Sequence, residues 1–448
     1  MKKNSRINLS NLESEILPDG SQSLYSPAFD PVALLARLRE RDSLRPLLHI
    51  DRERSSGWSH VPVDLSRVVS DRVGESFADH PLLSCPAREK EGTSLRIRQD
   101  GIRPPFSSGV VLLLPFEMAE LWEPSGGPFL GPQVPAVRID CRTVVSFHGP
   151  TGRLFLPPGF DLSLLDPVAL PPVSLPAFSS SDSPEVFAGH LDRVRSGLSD
   201  GRYFQVNLAR RFEAPLPEGF DPLAAYARMR KLGPSPFGGF FSHRGRFLLS
   251  RSPEQFLSGE GDRLVTRPIA GTLAGPPPSG GEEPLLRDPK LLAEHIMTVD
   301  LLRNDLGRVC RPGSVRVSRL LAVETLPHLR HLVSDVEGRL APHLSRKDLL
   351  CSLFPGGSVT GAPRIAVRRE IGRLEGRPRN DYCGIFGYVS ETGQMDFSLL
   401  IRTLEGLMEP SGGRISFGAG AGIVADSVAE EEIREIALKA RTMEEVFR

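Results

Sequence analysis

The sequence has no long hydrophobic run and no excess of charge of either sign. No segment approaches the roughly 20 consecutive apolar residues that a membrane-spanning helix requires. Lysine plus arginine and aspartate plus glutamate both number 55, so the formal net charge is zero. Such a chain offers no strong field to DNA, RNA or an anionic membrane. These absences argue against a nucleic-acid partner and against a membrane protein.

Cysteine is scarce and scattered. The cysteines are Cys85, Cys141, Cys310, Cys351 and Cys383. Their odd number and the lack of any Cys-x-x-Cys pair argue against a zinc site or a secreted disulfide framework. The basic start, Met1 to Arg6, is followed by no apolar signal segment. We therefore expect a soluble, cytoplasmic protein.

The 448 residues are enough for a large core, in one large domain or in two or three smaller ones. The stretch from Asp166 to Pro184 holds five prolines and a serine-rich run, which is typical of a connection between two halves. The sequence thus predicts a variable N-terminal region over 1–180 and a catalytic domain over 181–448. Helix and strand patterns alternate without a regular βαβ rhythm, which favours an α+β fold with mostly antiparallel sheets.

Local patterns predict several elements of the second half. A helix is expected over 186–198, and strands are expected over 203–208, 238–241 and 247–250. Asp288 and Pro289 suit the N-cap and first position of a helix that runs to about residue 306. Ser427 and Glu430 have the spacing of a capping box and predict a helix over 428–447.

The segment from Phe354 to Pro363 is rich in glycine and precedes a helical pattern over 364–374. Glycines such as Gly361 let the backbone approach a ligand closely, and free N–H groups at a helix start can face a carboxylate or phosphate. The segment therefore predicts a site for a small anion. A plain surface loop is the alternative.

Two helical patterns offer carboxylates that could hold a divalent cation. Glu432, Glu435 and Lys439 share one stripe of the last predicted helix, and Glu294 lies in the helix that begins near Pro289. Mg²⁺ prefers oxygen ligands of this kind. The alternative is a solvated face with an ordinary i, i+4 ion pair.

Two further residues could take part in acid–base chemistry. Glu254 follows an apolar strand directly, a common place for a general acid, and a surface turn, which the local sequence favours, is the alternative. His331 stands beside an apolar pair, where a structural histidine is the alternative.

Many ordered motifs resemble those of one family, the large subunits of chorismate-utilising enzymes, specifically the component 1 chains of aminodeoxychorismate synthase and anthranilate synthase. The resemblance covers residue 186 to the C-terminus. The motifs are Gln205-Val-Asn-Leu-Ala209, Ser252-Pro-Glu254, Arg267-Pro-Ile-Ala-Gly-Thr272, Ala293-Glu-His-Ile-Met-Thr-Val-Asp-Leu-Leu-Arg-Asn-Asp305, His331-Leu-Val-Ser334, Pro355-Gly-Gly-Ser-Val-Thr-Gly-Ala-Pro363, Ile401-Arg-Thr403 and Gly420-Ala-Gly-Ile-Val-Ala-Asp-Ser427.

The resemblance implies a fold, a cofactor and a set of roles. The fold is a large sandwich of antiparallel sheets flanked by helices, with the N-terminal part woven into it. Mg²⁺ would bridge the ring carboxylate of chorismate to Glu294 and Glu435, with Glu432 nearby. Glu254 matches the general acid that protonates the departing hydroxyl, which requires a raised pKa.

The resemblance also assigns the rest of the pocket. The carboxylate of the enolpyruvyl arm would meet Tyr382, Arg402, Lys439 and the backbone at Gly420 and Gly422. His331 and Thr360 match residues that line the ring pocket, beside Gly361 and Ala270. Gln205 replaces the lysine base of isochorismate synthases, so ammonia is the expected nucleophile.

The choice between the two reactions rests on small differences. Asn207, the run from Pro234 to Phe240, Gly357 and the pair Cys383-Gly384 resemble the aminodeoxychorismate branch. Ala270 opposes them, because that branch carries a lysine there which attacks the ring covalently, whereas anthranilate synthases have alanine. Leu291 also departs from the pattern, since an acidic residue is usual one turn before Glu294.

The N-terminal run Leu47-Leu-His-Ile50 stands where anthranilate synthases have the Leu-Leu-Glu-Ser element that binds inhibitory tryptophan. The absence of that element favours the aminodeoxychorismate branch, or folate branch. No glutaminase nucleophile turn surrounds any cysteine, so ammonia is expected from a separate glutamine amidotransferase subunit. The sequence therefore predicts component 1 of aminodeoxychorismate synthase, with anthranilate synthase component 1 as the alternative. A regulatory subunit that only binds chorismate is a third hypothesis, opposed by the intact set of Glu254, Glu294, Glu435 and Arg402.

Overall fold

The structure is a computed structural model that describes residues 14–16, 21–26, 29–52, 55–71, 80–84, 102–128, 131–174, 177–233, 235–275, 283–326, 329–410 and 412–445. Within these ranges the chain forms 21 strands and nine α-helices. The strands are β1 (Ser14–Ile16), β2 (Gln22–Tyr25), β3 (Leu47–Arg52), β4 (Trp58–Asp71), β5 (Gly109–Leu114), β6 (Ala136–His148), β7 (Arg153–Leu156), β8 (Ser179–Ser180), β9 (Gln205–Pro215), β10 (Phe237–His243), β11 (Arg246–Ser252), β12 (Gln255–Glu260), β13 (Arg263–Arg267), β14 (Ile269–Ala274), β15 (Arg316–Leu326), β16 (Leu329–Arg339), β17 (Gly361–Ala362), β18 (Ile385–Ser390), β19 (Met395–Leu399), β20 (Thr403–Glu409) and β21 (Gly412–Ile423). The helices are α1 (Pro31–Arg41), α2 (Pro81–Ser84), α3 (Met118–Trp122), α4 (Pro184–Ser199), α5 (Pro222–Leu232), α6 (Pro289–Gly307), α7 (Arg346–Leu353), α8 (Arg364–Glu375) and α9 (Ala429–Glu444).

The strands form two antiparallel runs that meet at β4 and β6. One run continues from β4 through β3, β10, β11, β20, β21 and β9. The other continues from β6 through β5, β18, β19, β12, β13 and β16. Buried side chains from both runs pack together, among them Phe241, Leu248 and Phe386. The predicted α+β fold with antiparallel sheets is therefore confirmed.

Helices cover the outer faces of both runs. Helices α1, α4, α5 and α9 contribute to one apolar cluster with β9, β11 and β21. Helices α3, α6 and α7 contribute to a second cluster with β5, β12 and β19. Burial of a phenylalanine such as Phe240 or Phe397 stabilises a core by about 1.5–3 kcal/mol.

The N-terminal region shares the sheet with the remainder of the chain. Strand β3 pairs with β10 from Leu47 to Asp51, and β5 pairs with β18 along its whole length. Strands β3 and β5 therefore each cover a strand edge that would otherwise be left open inside the sandwich. The division near residue 180 stays a prediction about the sequence.

The predicted helix starts have mixed outcomes. Asp288 accepts a hydrogen bond from the Leu291 N–H and caps α6, with Pro289 at the first position, as predicted. The capping box at Ser427 is wrong: α9 begins at Ala429 with Val428 as its N-cap and no side-chain cap bond. The Ser427 hydroxyl accepts from the Val424 N–H instead. The expected last turn of α9 at residues 446–447 lies outside the described residues.

The described cysteines Cys141, Cys310, Cys351 and Cys383 are all free thiols. Cys85 lies outside the described residues. No helix in the described part of the chain combines the length and apolar character needed to cross a bilayer.

Candidate active site

Glu254 lies in the tight connection between β11 and β12 and is buried. Its Oε1 atom accepts a hydrogen bond of 2.7 Å from the Ser358 hydroxyl. Burial raises the pKa of Glu254 to about 7, although the Ser358 bond and the positive charge of Lys439 act in the opposite direction. The side chain therefore holds a proton near neutral pH and can donate it.

The glycine-rich segment that supplies Ser358 passes close to strand β9. It forms a 3-10 turn at Gly357–Val359 and then the short strand β17, which pairs with Gln205 and Val206. Gly361 has φ of 119°, and a Cβ atom there would overlap the carbonyl oxygen of Gln205, so only glycine fits. The buried Thr360 hydroxyl donates to the Gly356 carbonyl at 2.9 Å.

The predicted anion position lies at the start of α8, where Pro363 is the N-cap rather than the first helical residue. A cavity of about 260 Å³ adjoins this point. Arg364 faces Asp305 and Glu123 there, each at 3.3 Å. Arg308 also lines the cavity and pairs with Glu123 at 3.2 Å. Both lining arginines are thus balanced by carboxylates, and the anion site stays a prediction.

Three carboxylates from α6 and α9 face one another beside two lysines. Glu432 is buried and pairs with Lys290 at 3.3 Å. The more exposed Glu435 pairs with Lys439 at 2.5 Å. Burial, together with the negative charges of Glu432 and Glu435, raises the pKa of Glu294 to about 7, against the lowering effect of Lys290.

Among the described residues no group of three or more histidine, cysteine or acidic side chains is arranged closely enough to hold a metal ion. Glu432 and Glu435 are instead paired with Lys290 and Lys439. The donor set nevertheless suits a hard divalent cation. The Glu294 carboxylate has no hydrogen bond or ion pair with any described side chain, and its two carboxylate neighbours oppose its ionisation. A cation could relieve this repulsion if the lysines released their partners.

Arg402 and Lys439 present cationic groups to the same space. The Lys439 ammonium donates to the carbonyl oxygen of Gly420 at 2.8 Å. Arg402, at φ of 52°, uses one terminal nitrogen to bind the Lys439 carbonyl and the Thr442 hydroxyl. Its other guanidinium nitrogens have no partner in the described part of the chain. They remain available for a bidentate contact with a carboxylate.

Tyr382, Gln205 and the glycines of β21 form a close-packed wall. The Tyr382 ring packs over Gly418, and its hydroxyl would lie 3.0 Å from a Cβ atom at Gly420. Burial raises the pKa of Tyr382 well above its usual value, so the phenol stays neutral. A Cβ atom at Gly422 would overlap Nε2 of the buried Gln205 side chain. Glycine at position 422 therefore leaves room for Gln205.

His331 and Ala270 lie on the neighbouring strands β16 and β14. Ala270 pairs with Leu332, the neighbour of His331. His331 is buried with Nε2 3.7 Å from a Glu324 oxygen, and its Nδ1 has no hydrogen-bond partner among the described residues. Helix α6 connects these strands to Glu294, because the adjacent His295 bonds to Ser334 on β16 at 2.7 Å.

Three residues that contact this site have no role predicted from the sequence: Ser358, Lys290 and Thr442. Ser358 lies inside the quoted glycine-rich motif, but its bond to Glu254 spans 104 residues. Lys290 stands four positions before Glu294, a spacing that places both side chains on one helix face. That spacing was a usable signal, whereas nothing local marks Thr442.

Solved structures with this architecture identify the class of protein. The chain resembles anthranilate synthase component I from Streptococcus pneumoniae with a TM-score of 0.72 and 27% identity, over 87% of this chain and 92% of that one. MenF, the menaquinone-specific isochorismate synthase from Escherichia coli, shares the fold with a TM-score of 0.71 at 18% identity, over 98% of this chain and 95% of that chain. Residues 168–445 match the sequence model of the chorismate binding enzymes, and the chain belongs to that family.

Curated relatives carry two names. Anthranilate synthase component 1 of Thermus thermophilus is 35% identical over 92% of this chain and 94% of that protein. Aminodeoxychorismate synthase component 1 of Klebsiella aerogenes is 41% identical, over 60% of this chain and 59% of that protein. Family membership is thus shown, and the two names leave the individual reaction unresolved.

Proposed function

We propose that the chain is component 1 of aminodeoxychorismate synthase, which converts chorismate and ammonia to 4-amino-4-deoxychorismate and water, a step toward p-aminobenzoate and folate. The observation that carries the chemistry is Glu254. It is buried, its pKa is raised to about 7 and it accepts a bond from Ser358. A carboxyl group of this kind can protonate a departing hydroxyl near neutral pH.

The reaction proceeds by displacement at the ring. Protonated Glu254 gives its proton to the ring hydroxyl, the C–O bond breaks and water leaves. Ammonia forms the new C–N bond, and the proton that the resulting ammonium group loses restores Glu254. Gln205 cannot act as a base, so it lines the nucleophile's side of the pocket without activating water.

The remaining candidate residues bind and orient chorismate. Arg402, Lys439 and Tyr382, with the backbone at Gly420 and Gly422, hold the carboxylate of the enolpyruvyl arm. His331, Thr360, Gly361 and Ala270 line the ring. Arg402 supports this assignment because part of its guanidinium lacks a partner in the described structure.

Mg²⁺ is the proposed cofactor, and Glu294, Glu432 and Glu435 are its proposed ligands. Bound there, it would hold the ring carboxylate of chorismate and withdraw electrons from the ring. For the cation to bind there, Lys290 must release Glu432 and Lys439 must release Glu435 when the cation and substrate arrive.

The environment of His49 supports the folate branch. In Leu47-Leu-His-Ile50 the His49 ring is buried, and its nitrogens lie 2.7 Å from the Tyr226 hydroxyl and 2.7 Å from the Ser59 hydroxyl. Both ring nitrogens are occupied, so position 49 offers no polar group to an amino-acid effector. Tryptophan added to the assay should leave the rate unchanged, and strong inhibition would count against this branch.

Anthranilate synthase component 1 is the second candidate, because two observations favour it. Ala270 has no nucleophilic group, whereas enzymes of the folate branch have a lysine at this position that forms a covalent adduct with the ring. The Thermus anthranilate synthase component also matches nearly the whole chain. Its product would be anthranilate, with release of pyruvate.

A product assay separates the two reactions. The purified chain is incubated with chorismate, Mg²⁺ and excess ammonium salt, and products are separated before and after an aminodeoxychorismate lyase is added. We expect p-aminobenzoate only after the lyase acts. Fluorescent anthranilate without the lyase would overturn the proposal in favour of the second candidate.

The same assay addresses the partner. We propose that a separate glutamine amidotransferase subunit supplies ammonia, so glutamine alone should not support turnover by the isolated chain. Turnover with glutamine in the absence of any second protein would contradict this. Absence of any turnover of chorismate, with either nitrogen source, would favour a subunit that only binds.

A further inference from the structure

Arg379 is a buried arginine in the connection between α8 and β18, and none of the proposed catalytic or binding roles falls on it. Its side chain is about 3% exposed. Its charge is balanced by Glu375, which lies at 2.6 Å. A buried cation of this kind is costly unless all its donors are satisfied.

All five N–H donors of the Arg379 guanidinium have partners. Nε donates to one Glu375 oxygen at 2.9 Å, and Nη2 donates to the other at 2.6 Å. Nη2 also donates to the Asn207 carbonyl at 2.8 Å. Nη1 donates to the Val359 carbonyl at 2.8 Å and to the Cys383 sulfur at 3.6 Å.

The partners of Arg379 belong to the elements that carry the candidate site. Val359 lies between Ser358, which bonds to Glu254, and Thr360. Asn207 follows Gln205 by two residues on β9, and its N–H donates to the Thr360 carbonyl at 2.8 Å. The guanidinium also lies 5.7 Å from the centre of the Tyr382 ring, within cation–π range.

Glu375 extends the same network along β9. Its Oε1 accepts from the Ala209 N–H at 3.0 Å as well as from Arg379. One ion pair therefore fixes the glycine-rich turn, strand β9 and the face of Tyr382 relative to one another.

We propose that Arg379 is a positioning residue that holds the Ser358 turn against Glu254 and aligns it with the Gln205 strand and Tyr382. It acts through these elements and touches no reacting atom itself. The inference rests on the proposed role of Glu254 as general acid. A planar fork with five donors is required, so lysine, with three donors around one nitrogen, cannot reproduce the arrangement.

The first test is the pH profile of kcat/KM for chorismate in Arg379→Lys, Ser358→Ala and the double variant. Loss of the Ser358 hydrogen bond removes an interaction that favours the ionised form of Glu254. The alkaline limb of the profile should therefore move upward by roughly one pH unit in Ser358→Ala. We expect Arg379→Lys to move the limb in the same direction, and the double variant to match Ser358→Ala alone.

A purely structural role would lower the amount of folded protein without moving the alkaline limb. An unchanged limb in Arg379→Lys, or a shift in the double variant that adds to that of Ser358→Ala, would overturn the proposal. Glu375→Gln provides a second variant that keeps the arginine. Its amide NH2 group replaces one of the two oxygens that accept from Arg379 and is itself a donor, so one of the two bonds is lost. A smaller shift in the same direction is expected, and no shift would count against the proposal.

Arg373→Gln is the matched control, because Arg373 lies on α8, is 58% exposed and, in the part of the chain that the structure describes, pairs only with Glu370, at 3.8 Å. Its profile should superimpose on that of the unmodified chain. If the proposed function itself is wrong, the results differ. Glu254→Gln would then keep near-normal turnover, or the pH profile of the unmodified chain would show no alkaline limb. In either case the role of Glu254 fails before Arg379 is tested.

Discussion

Glu254 shows how the surroundings of one carboxyl group set its protonation state. Burial raises its pKa to about 7. A general acid must carry its proton, so activity should be retained below this pKa and lost above it. We expect kcat/KM, measured at saturating Mg²⁺, to fall about tenfold per pH unit above pH 7. A profile that stays flat to pH 9 would contradict the assignment.

Substitution of Glu254 tests the same group without changing pH. Glu254→Gln keeps the shape but removes the transferable proton, so turnover should fall by about 100-fold or more while chorismate still binds. Glu260→Gln at the end of β12 is the control, because Glu260 is exposed and, within the described residues, its carboxylate accepts a hydrogen bond only from Gln394. Near-normal turnover by Glu254→Gln would exclude Glu254 as the acid.

Ala270 is the residue whose effect on the reaction is most readily isolated. Alanine offers no nucleophile, so the unmodified chain should form no covalent adduct with chorismate. Ala270→Lys supplies an amine beside His331 on the neighbouring strand, and position 270 is only partly buried, so the longer side chain can be accommodated. Intact-protein mass spectrometry should show an adduct in Ala270→Lys only.

An adduct on the unmodified chain would mean that another nucleophile attacks the ring. No adduct in Ala270→Lys, in a variant that still binds chorismate, would place position 270 too far from the ring for covalent chemistry.

At the scale of elements, helices α6 and α9 bring their carboxylates to one place. Burial raises the pKa of Glu294 to about 7, and a protonated carboxyl must lose its proton to ligate a metal. Mg²⁺ affinity should therefore weaken as pH falls below 7, by up to tenfold per unit, with proton release on binding. Calorimetric titration in buffers of different ionisation enthalpy measures both quantities.

The metal assignment also predicts which substitution matters. Glu435→Ala should weaken Mg²⁺-dependent chorismate binding by at least about tenfold. Glu430→Gln on the same helix should have no effect, because Glu430 is exposed and is not among the carboxylates whose charge raises the pKa of Glu294. Equal titration curves for Glu435→Ala and the unmodified chain would rule out Glu435 as a ligand.

At the scale of the whole molecule, the N-terminal region completes the sandwich. Residues 181–448 alone would lose β3 from β10 and β5 from β18, and would expose inner side chains such as Phe241 and Phe386. Open strand edges beside exposed apolar surface favour aggregation. We expect the fragment to be insoluble or to unfold without a cooperative transition in calorimetry.

A soluble 181–448 fragment that turns over chorismate would show that the catalytic part folds alone. Co-expression with residues 1–180 provides the control, since restored solubility would assign the failure to the missing strands.

Local sequence was sufficient for many elements and for the family. The cap at Asp288 and the strands around Phe240 and Leu248 follow from nearest neighbours along the chain, which is why they were predicted correctly. The capping box at Ser427 failed because Ser427 is fully buried and its hydroxyl already bonds to the Val424 N–H in the preceding turn. A tertiary environment thus overrode a correct local pattern.

By itself the sequence determined the membership of the chain in the chorismate binding enzymes, because the motifs and their order can be recognised from the residues alone, without the folded structure. Only the tertiary structure decided that the N-terminal strands enter the same sandwich, that Ser358 bonds to Glu254, and that Lys290 and Lys439 pair with the carboxylates proposed for the metal. It also decided that Arg379 bonds to both the glycine-rich turn and strand β9. The physical reason is that such contacts depend on strand pairing and helix packing between residues far apart in the chain, where local propensity carries no information.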